Sequence, residues 1–274
     1  MKVVILAGGY GTRLSEETSV VPKPLVEIGG EPILLHIMRL YAYHGLDDFV
    51  VCCGHKGRLI KDYFLSLFHR SADFTIDLSR NTVEVHRATA ERWRVTLVDT
   101  GEETMTGGRI RRIAPFVGEE TFCLTYGDGV SDVDITGLVA FHRRQAALAT
   151  VTAVAQPGRF GALDLSAERP RVAGFREKSA ADGVLINGGF FVLEPGVLDL
   201  IDDDSSVFEE EPMRRLVASD QLAVYVHRGF WQNMDTLRDK HLLEDLWARG
   251  EAPWRIAPGA RRPAAAPIPV EVAS

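Results

Sequence analysis

Apolar residues in the first part of the chain follow two alternating patterns. Short, nearly continuous apolar runs at Lys2–Leu6 and Asp48–Cys53 are typical of buried strands. Pro32–His44 and Gly57–His69 carry apolar residues every three or four positions, a spacing that predicts helices. The order strand, helix, strand, helix predicts a parallel sheet with helices on its faces.

The same two patterns continue over the rest of the chain. Further strands are predicted at Arg94–Val98, Thr121–Thr125, Ala149–Ala155 and Leu222–His227, and Thr121–Thr125 is expected to be buried. Further helices are predicted at Glu210–Ala218, Thr236–Trp247 and, capped by Asp134, Ile135–Ala147. Phe74–Leu78 and Thr82–Arg87 alternate like antiparallel strands, and the short segments Gly161–Leu165 and Val172–Phe175 predict a small sheet over one side of the main one. We therefore expect an α/β fold with a Rossmann-like, mixed, mostly parallel sheet flanked by helices and a small accessory β-sheet.

The composition changes near the end of the chain. Residues 255–274 are rich in proline and alanine and have no periodic apolar face, so we expect a flexible tail without a catalytic role. A chain of 274 residues with 46% hydrophobic content can bury a full core, as one large domain or two small ones, and we expect residues 1–254 to form a single domain.

Charge and cysteine content exclude several classes of protein. The formal net charge of −7 disfavours a general nucleic-acid-binding protein, whose affinity comes from a basic face. No apolar run approaches the length of about 20 residues that spans a bilayer, and Met1–Leu6 is too short for a signal peptide. Cys52, Cys53 and Cys123 lie in apolar runs and are expected to be reduced core residues. A cytoplasmic enzyme with neither a nucleic acid nor a membrane as partner is the expected class.

The stretch after the first strand carries the strongest chemical signal. Gly8, Gly9 and Gly11 fall within four residues, where backbone N–H groups can surround an anion. Arg13 can grip phosphate oxygens with two hydrogen bonds, and Lys23, between two prolines, adds a point charge. The spacing fits neither the G-x-G-x-x-G nor the Walker pattern. We predict a site for a polyphosphate, with a plain structural turn as the alternative.

Two further segments carry candidate chemistry. Asp128 lies between Gly127 and Gly129 after a predicted strand, and α/β sheets bind ligands at the carboxyl ends of their strands. Mg²⁺ typically takes one or two carboxylates plus substrate phosphates, so Asp128 is a candidate metal ligand, with a turn-forming aspartate as the alternative. The loop Asp99–Gly108, which ends at Arg109, is either a solvated loop or a mobile, subunit-bridging one that brings an arginine to a nucleotide.

Several motifs together resemble the sugar-1-phosphate nucleotidylyltransferase family. The longest is Leu6-Ala7-Gly8-Gly9-Tyr10-Gly11-Thr12-Arg13-Leu14, followed by Pro22-Lys23-Pro24. Other motifs resemble one branch of that family, the glucose-1-phosphate cytidylyltransferases: Cys52–Gly57, Val95–Gly101, Met105–Arg109, Tyr126–Gly129, Phe160–Leu163, Ile186–Phe191 and Phe230–Asp239. The resemblance covers about residues 1–255.

The resemblance implies a reaction and its partners. In that branch, CTP and glucose 1-phosphate give CDP-glucose and pyrophosphate with the help of Mg²⁺, in a fold of the nucleotide-diphospho-sugar transferase type. The sugar phosphate is already an anion, so its direct attack on the α-phosphorus needs no general base. The resemblance also implies a homo-oligomer, with a hexamer as one form, in which the loop Thr104–Arg109 crosses an interface.

The resemblance further implies roles for individual residues. Arg13, Lys23 and Asp128 would be catalytic, with Arg13 at the β- and γ-phosphates and Lys23 near the α-phosphate. The rest of the nucleotide cradle would consist of Leu6, Ala7, Gly8, Gly9, Gly11, Thr12, Thr104, Arg109 and Gly127.

The metal and the sugar would be held by other residues. Asp128 and Asp235 would bind Mg²⁺, although Asp235 could instead cap the helix that follows it. Glu177, Lys178 and Asn187 would contact the sugar phosphate. At Ser179 and Asn233 the family usually has proline.

Other functions remain open from the sequence. Thymidylyl or uridylyl transfer, or CTP-dependent transfer to another phosphorylated acceptor, would keep the fold and change the substrate. A non-catalytic, nucleotide-sugar-binding regulatory domain belongs to a different class, and such a domain could dispense with Lys23 or one of the aspartates. The glycine pattern disfavours a dinucleotide-dependent oxidoreductase.

Overall fold

The computed structural model describes residues 1–70, 72–88, 91–155, 162–165, 172–176 and 185–262. The strands in these ranges are β1 (Val3–Ala7), β2 (Glu27–Ile28), β3 (Glu31–Pro32), β4 (Asp48–Cys53), β5 (Ala72–Asp77), β6 (Thr82–Ala88), β7 (Arg94–Asp99), β8 (Phe122–Tyr126), β9 (Gly129–Ser131), β10 (Ala149–Ala155), β11 (Ala162–Leu165), β12 (Val172–Arg176), β13 (Leu185–Leu193), β14 (Leu222–His227) and β15 (Trp231–Asn233). The helices are α1 (Ser15–Thr18), α2 (Ile33–Tyr43), α3 (Gly57–Arg70), α4 (Thr106–Arg112), α5 (Ala114–Val117), α6 (Ile135–Gln145), α7 (Glu211–Ala218) and α8 (Leu237–Ala248). Short 3-10 turns lie at Thr12–Leu14, Lys23–Leu25 and Pro195–Leu200.

The central sheet has seven strands in the order β14-β10-β13-β8-β1-β4-β7. Neighbouring strands are parallel except where β13 pairs with β8 and with β10. In the middle of the sheet, Val3 of β1 lies between Phe49 of β4 and Cys123 of β8. The small accessory sheet consists of β11 and β12, which are antiparallel. The predicted mixed, mostly parallel sheet and the accessory sheet are confirmed.

Alternation along β1 directs its side chains to two separate cores. Val3 and Ile5 pack with residues of α2, α6 and α8, whereas Val4 and Leu6 pack with residues of α4, α5 and α7. Full burial of one such apolar side chain stabilises the folded state by about 1.5–3 kcal/mol compared with leaving it exposed to water. Helices on both faces therefore stabilise a sheet that is buried on both sides, and the loops at its edge remain available for a site.

Some local predictions need correction. The predicted loop Asp99–Gly108 is too long, because α4 begins at Thr106 and contains Gly107 and Gly108. The two short strands β9 and β15 were not predicted. Cys52, Cys53 and Cys123 are buried free thiols, as expected, and burial raises the pKa of Cys53 to about 11.

The first eight residues of the predicted tail contact the domain. Arg255 lies over the ring of Trp247 at 4.6 Å. Arg261 donates to Asp47 at 2.7 Å, and the backbone N–H of Arg262 donates to the carbonyl of Tyr43 at 2.8 Å. Residues 263–274 lie outside the described residues, and the division of the chain at residue 254 stays a prediction. Among the helices that the structure describes, none has the length and apolar character needed to cross a bilayer.

Candidate active site

One lysine and two aspartates from distant parts of the chain form a single cluster. The Lys23 ammonium donates to Oδ2 of Asp128 at 2.7 Å and to Oδ1 of Asp235 at 2.5 Å. The side chains of Lys23 and Asp235 are each 12% exposed, and that of Asp128 is 31% exposed. The cluster is therefore partly shielded from water, which strengthens the attraction between its charges.

A small β-ribbon brings the two aspartates together. Asp128 follows the central strand β8, and Asp235 lies between β15 and α8. β9 and β15 pair in antiparallel fashion, with Gly129 opposite Asn233, and the N–H of Met234 donates to the carbonyl of Asp128 at 2.8 Å. The ribbon thus fixes the loop that carries one carboxylate to the loop that carries the other.

The hydrogen bonds around Asp235 orient its carboxylate. Asn233 Nδ2 donates to Oδ2 of Asp235 at 2.7 Å, while Oδ1 receives the lysine. The alternative role of Asp235 as a helix cap is wrong, because Thr236 caps α8 and forms a capping box with Asp239. The Asp235 side chain is therefore available to face the cluster.

The environment of Lys23 keeps its side chain cationic. Burial lowers the pKa of the ammonium, but the charge of Asp128 and hydrogen bonds to Asp128 and Asp235 raise that pKa by more, so the net shift is upward. Lys23 therefore supplies a fixed positive charge at neutral pH.

The two carboxylates also form a donor set that suits a hard divalent cation. Among the described residues, no group of three or more histidine, cysteine, aspartate and glutamate side chains is placed to hold a metal ion. Two carboxylates are nevertheless sufficient for Mg²⁺ when substrate phosphates complete its coordination. Asp128 and Asp235 therefore fit the ion that the family resemblance implies.

The glycine-rich loop lies next to this cluster. Gly11 has a φ of +65°, a conformation that favours glycine, and Thr18 Oγ1 donates to its carbonyl at 3.0 Å. Lys56 Nζ binds the carbonyl oxygens of Thr18 and Ser19 from the other side. These hydrogen bonds hold the C-terminal end of the glycine-rich loop, at Gly11, against the segment that contains Thr18.

Arg109 holds the N-terminal end of the glycine-rich loop, at Gly8. Its side chain is buried, and Nη1 donates to Oγ1 of Thr100 at 2.8 Å and to the carbonyl of Gly101 at 2.7 Å. Nη2 donates to the carbonyls of Gly8 and Glu102, both at 3.1 Å. In this structure the guanidinium joins the loops that follow β1 and β7. The expectation that it contacts nucleotide phosphates stays a prediction.

Two glycines provide the space for that guanidinium. A Cβ atom at Gly8 would lie 2.2 Å from Arg109 Nη1, and a Cβ at Gly54 would also lie 2.2 Å from it. Both distances are far below van der Waals contact, so any side chain at either position must displace the arginine. The observed packing of Arg109 therefore requires glycine at position 8.

Two clefts meet at the cluster. The first, which we call the glycine-loop cleft, has a volume of about 310 Å³ and is lined by Leu6, Ala7, Gly8, Gly9, Tyr10, Lys23, Pro24, residues 102–106, Arg109, Tyr126, Gly127 and Asp128. The second, which we call the Asn187 cleft, has a volume of about 450 Å³ and is lined by Thr125, Tyr126, Asp128, Gly129, residues 186–190, Trp231, Asn233 and Asp235. Tyr126 and Asp128 belong to both.

The structure brings most of the predicted site residues into these clefts. Leu6, Ala7, Gly8, Gly9, Lys23, Thr104, Arg109, Gly127 and Asp128 line the first, and Asn187 and Asp235 line the second. Gly11 and Thr12 lie further along the loop, at the 3-10 turn. The backbone of Arg13 lies in that turn, but its side chain is not described, and Glu177 and Lys178 lie outside the described residues. The roles predicted for all these residues stay predictions.

The predicted site residues leave out several residues that line the clefts, among them Tyr126, Trp231 and Asn233. Tyr126 forms a wall of both clefts, and Trp231 and Asn233 line the Asn187 cleft. Tyr126 could have been found, since it immediately precedes the glycine that follows strand β8. Asn233 drew notice only because the family usually has proline there, and its contact with Asp235 depends on a ribbon that the sequence does not reveal.

Comparison with known proteins shows the family to which the chain is similar. Residues 2–241 match the model of the nucleotidyl transferase family. The chain is 55% identical over 256 residues to a glucose-1-phosphate cytidylyltransferase of Salmonella typhi, covering 93% of this chain and 99% of the relative. Among solved structures, UDP-glucose pyrophosphorylase complexed with UDP-glucose matches with a TM-score of 0.63 at 15% identity, over 91% of this chain and 98% of that chain. An inositol-1-phosphate CTP transferase from T. maritima matches with a TM-score of 0.60 at 16% identity, over 89% and 95% of the two chains. At such low identities the solved structures support the fold alone.

Proposed function

This chain belongs to the nucleotidyl transferase family, and from that premise we propose that it is a glucose-1-phosphate cytidylyltransferase. It would convert CTP and glucose 1-phosphate into CDP-glucose and pyrophosphate. The observation that carries the proposal is the Lys23–Asp128–Asp235 cluster at the junction of two clefts, in a chain 55% identical to an enzyme of that name.

The proposed chemistry is a displacement at phosphorus. A phosphate oxygen of glucose 1-phosphate forms a bond to the α-phosphorus of CTP. The bond from that phosphorus to the bridging oxygen of the β-phosphate breaks, and pyrophosphate leaves with the electron pair. Because the nucleophile is already an anion near neutral pH, the protein's task is to position two anions and stabilise the charge that develops.

The cluster is suited to that task. We assign Lys23 to the α-phosphate, where its fixed charge offsets the charge of the transition state. Asp128 and Asp235 would hold a divalent cation, for which we propose Mg²⁺, and the ion would neutralise phosphate oxygens of both substrates. The shared position of Asp128 in both clefts favours a site where the two substrates meet.

The two clefts would divide the substrates between them. We assign the nucleotide to the glycine-loop cleft, where Arg13 and Arg109 would meet its phosphates, and the sugar to the Asn187 cleft. A preference for cytosine requires an acceptor for its 4-amino group, and the 4-keto oxygen of uracil would leave that acceptor unpaired. The unpaired acceptor would disfavour UTP relative to CTP by about 10- to 100-fold.

Pyrophosphate release tests the proposal. The protein is mixed with glucose 1-phosphate and Mg²⁺, and CTP, UTP, dTTP and ATP are compared in parallel. Turnover with CTP that exceeds the other three by about 10-fold or more is expected. Preferred turnover with UTP or dTTP would keep the reaction and overturn the base. Lack of turnover with all four would overturn the reaction.

We also propose that the enzyme acts in the cytoplasm as a homo-oligomer. The loop that contains Thr104 and Arg109 would lie at an interface between subunits. Light scattering measures the mass of the particle in solution, and a mass equal to that of one 30.3 kDa chain would contradict this part of the proposal.

A further inference from the structure

Tyr126 stands in the wall that the two clefts share. Its hydroxyl donates to Oε1 of Glu209 and accepts from Nδ2 of Asn187 at 3.4 Å. Because a carboxylate oxygen only accepts hydrogen bonds, the Tyr126 hydroxyl is the donor in its bond to Glu209. Hydrogen bonds thus connect Asn187, which lines the Asn187 cleft, to Glu209 through the Tyr126 hydroxyl.

Glu209 extends this link to the glycine-loop cleft. Its Oε2 accepts from the hydroxyl of Thr106 at 2.6 Å, and the same hydroxyl accepts from the backbone N–H of Phe208 at 2.9 Å. Thr106 lines the glycine-loop cleft and is the first residue of α4. The Glu209 carboxylate thus connects Tyr126, in the wall of the Asn187 cleft, to Thr106, in the wall of the glycine-loop cleft. Hydrogen bonds to a carboxylate are stronger than those between neutral groups.

Packing places the Tyr126 ring independently of Glu209. Gly189 has a φ of +78°, and a Cβ atom there would lie 2.5 Å from the ring. The ring of Phe191 meets that of Tyr126 edge-on, with centroids 6.1 Å apart. The ring is therefore confined by β13, whereas Glu209 determines the direction of its hydroxyl.

We propose that Glu209 is a positioning residue for the transfer reaction. Through Tyr126 and Thr106 it fixes the two cleft walls relative to each other, and hence the distance between the sugar phosphate and the α-phosphorus. A displacement of about 1 Å at reacting atoms can cost about 100-fold in rate. The inference rests on the proposed function, since it needs a reaction between ligands of the two clefts.

The test compares Glu209→Ala with Glu210→Ala. The control removes the same charge from the adjacent residue, and both side chains are exposed. For Glu209→Ala we expect kcat per folded protein to fall about 10-fold or more, because the reacting atoms are displaced, with the folded fraction taken from circular dichroism. A loss of folded protein would instead lower the apparent kcat only in proportion to the loss of circular-dichroism signal. Glu209→Gln keeps one carbonyl acceptor and is expected to recover part of the loss.

A double-mutant cycle with Tyr126→Phe completes the test. The phenylalanine keeps the ring packing and removes the hydroxyl, so the effects of Tyr126→Phe and Glu209→Ala should overlap rather than add. Fully additive effects, or a Glu209→Ala enzyme equal to the Glu210→Ala control, would overturn the inference while leaving the proposed function intact. A parent protein without cytidylyl transfer would overturn both.

Discussion

Replacing Lys23 by methionine removes one charge from the cluster and keeps a side chain of similar length. In the parent, the ammonium is held at 2.7 Å by Asp128 and at 2.5 Å by Asp235. In Lys23→Met the two carboxylates face each other with an apolar group between them. We expect a loss of both stability and turnover.

The size of the stability loss follows from burial. Removing one partner of a buried ion pair costs about 3–5 kcal/mol. Because the Asp128 side chain is 31% exposed and water screens part of its charge, we expect the lower end of that range, about 3 kcal/mol. This corresponds to a fall in Tm of about 6–12 °C for a domain of this size. Turnover should fall by about 100- to 1,000-fold, as for the loss of one group that stabilises transition-state charge.

Thermal unfolding with and without a divalent cation separates the two roles of Lys23. Mg²⁺ should raise the Tm of Lys23→Met by more than that of the parent, because the carboxylates of the variant no longer hold an ammonium. The control Lys240→Met removes one ion pair, with Glu17, whereas Lys23→Met removes two, so the control should lower the Tm by less. A Lys23→Met protein with parental Tm and turnover would refute the role of Lys23 as the charge that holds the cluster together.

The pH dependence provides a second check on Lys23. Its pKa in the folded protein lies above the ordinary value, so its contribution to stability is fully present below about pH 10.4 and is lost as pH rises through the folded-state pKa. The stability difference that Lys23 causes between parent and Lys23→Met should therefore persist at neutral pH and shrink only in strong alkali. A difference that vanishes between pH 7 and 9 would contradict the upward shift.

Three further substitutions test separate parts of the site. Asp128→Asn should lower turnover by about 100- to 1,000-fold while circular dichroism shows an intact fold; near-normal turnover would remove Asp128 from the reaction. Asn233→Ala should raise the Mg²⁺ concentration for half-maximal activity by about 10- to 100-fold, because the Asp235 carboxylate loses a hydrogen bond and can rotate. An unchanged Mg²⁺ requirement would show that Asn233 does not orient Asp235 for the metal. Gly8→Ala should destabilise the fold by about 1–3 kcal/mol, since its Cβ would meet Arg109 at 2.2 Å, whereas Gly9→Ala has open space and should leave the Tm unchanged; equal Tm values for the two would contradict this packing.

The sequence predicted the elements that have clear periodicity. The ranges predicted for β4, β10 and β14 coincide with the observed ones, since each is rich in apolar and β-branched residues, although β14 lies at the edge of the sheet and is only partly buried. Asp128 was found because its strand and flanking glycines are local signals. Asp235 was placed in the same site only by resemblance, and the structure adds the physical link between the two carboxylates.

The parts that escaped prediction depend on contacts between distant segments. The three-residue strands β9 and β15 are too short to show periodicity, although they fix the two aspartates together. The contacts of Arg109 within the fold were not predicted, because four of its acceptors are backbone carbonyls, which look alike in any sequence. Glu209 likewise gave no signal, because its partners Tyr126 and Thr106 come from other parts of the chain.

Phosphorus NMR of a reaction that contains CTP, glucose 1-phosphate and Mg²⁺ tests cytidylyl transfer most directly. We expect the signals of both substrates to decline together while CDP-glucose and pyrophosphate appear in equal amounts, and we expect Asp128→Asn to abolish the change. Consumption of CTP with glucose 1-phosphate left intact would show hydrolysis instead of transfer. That result, or no change in any signal, would contradict the proposed function.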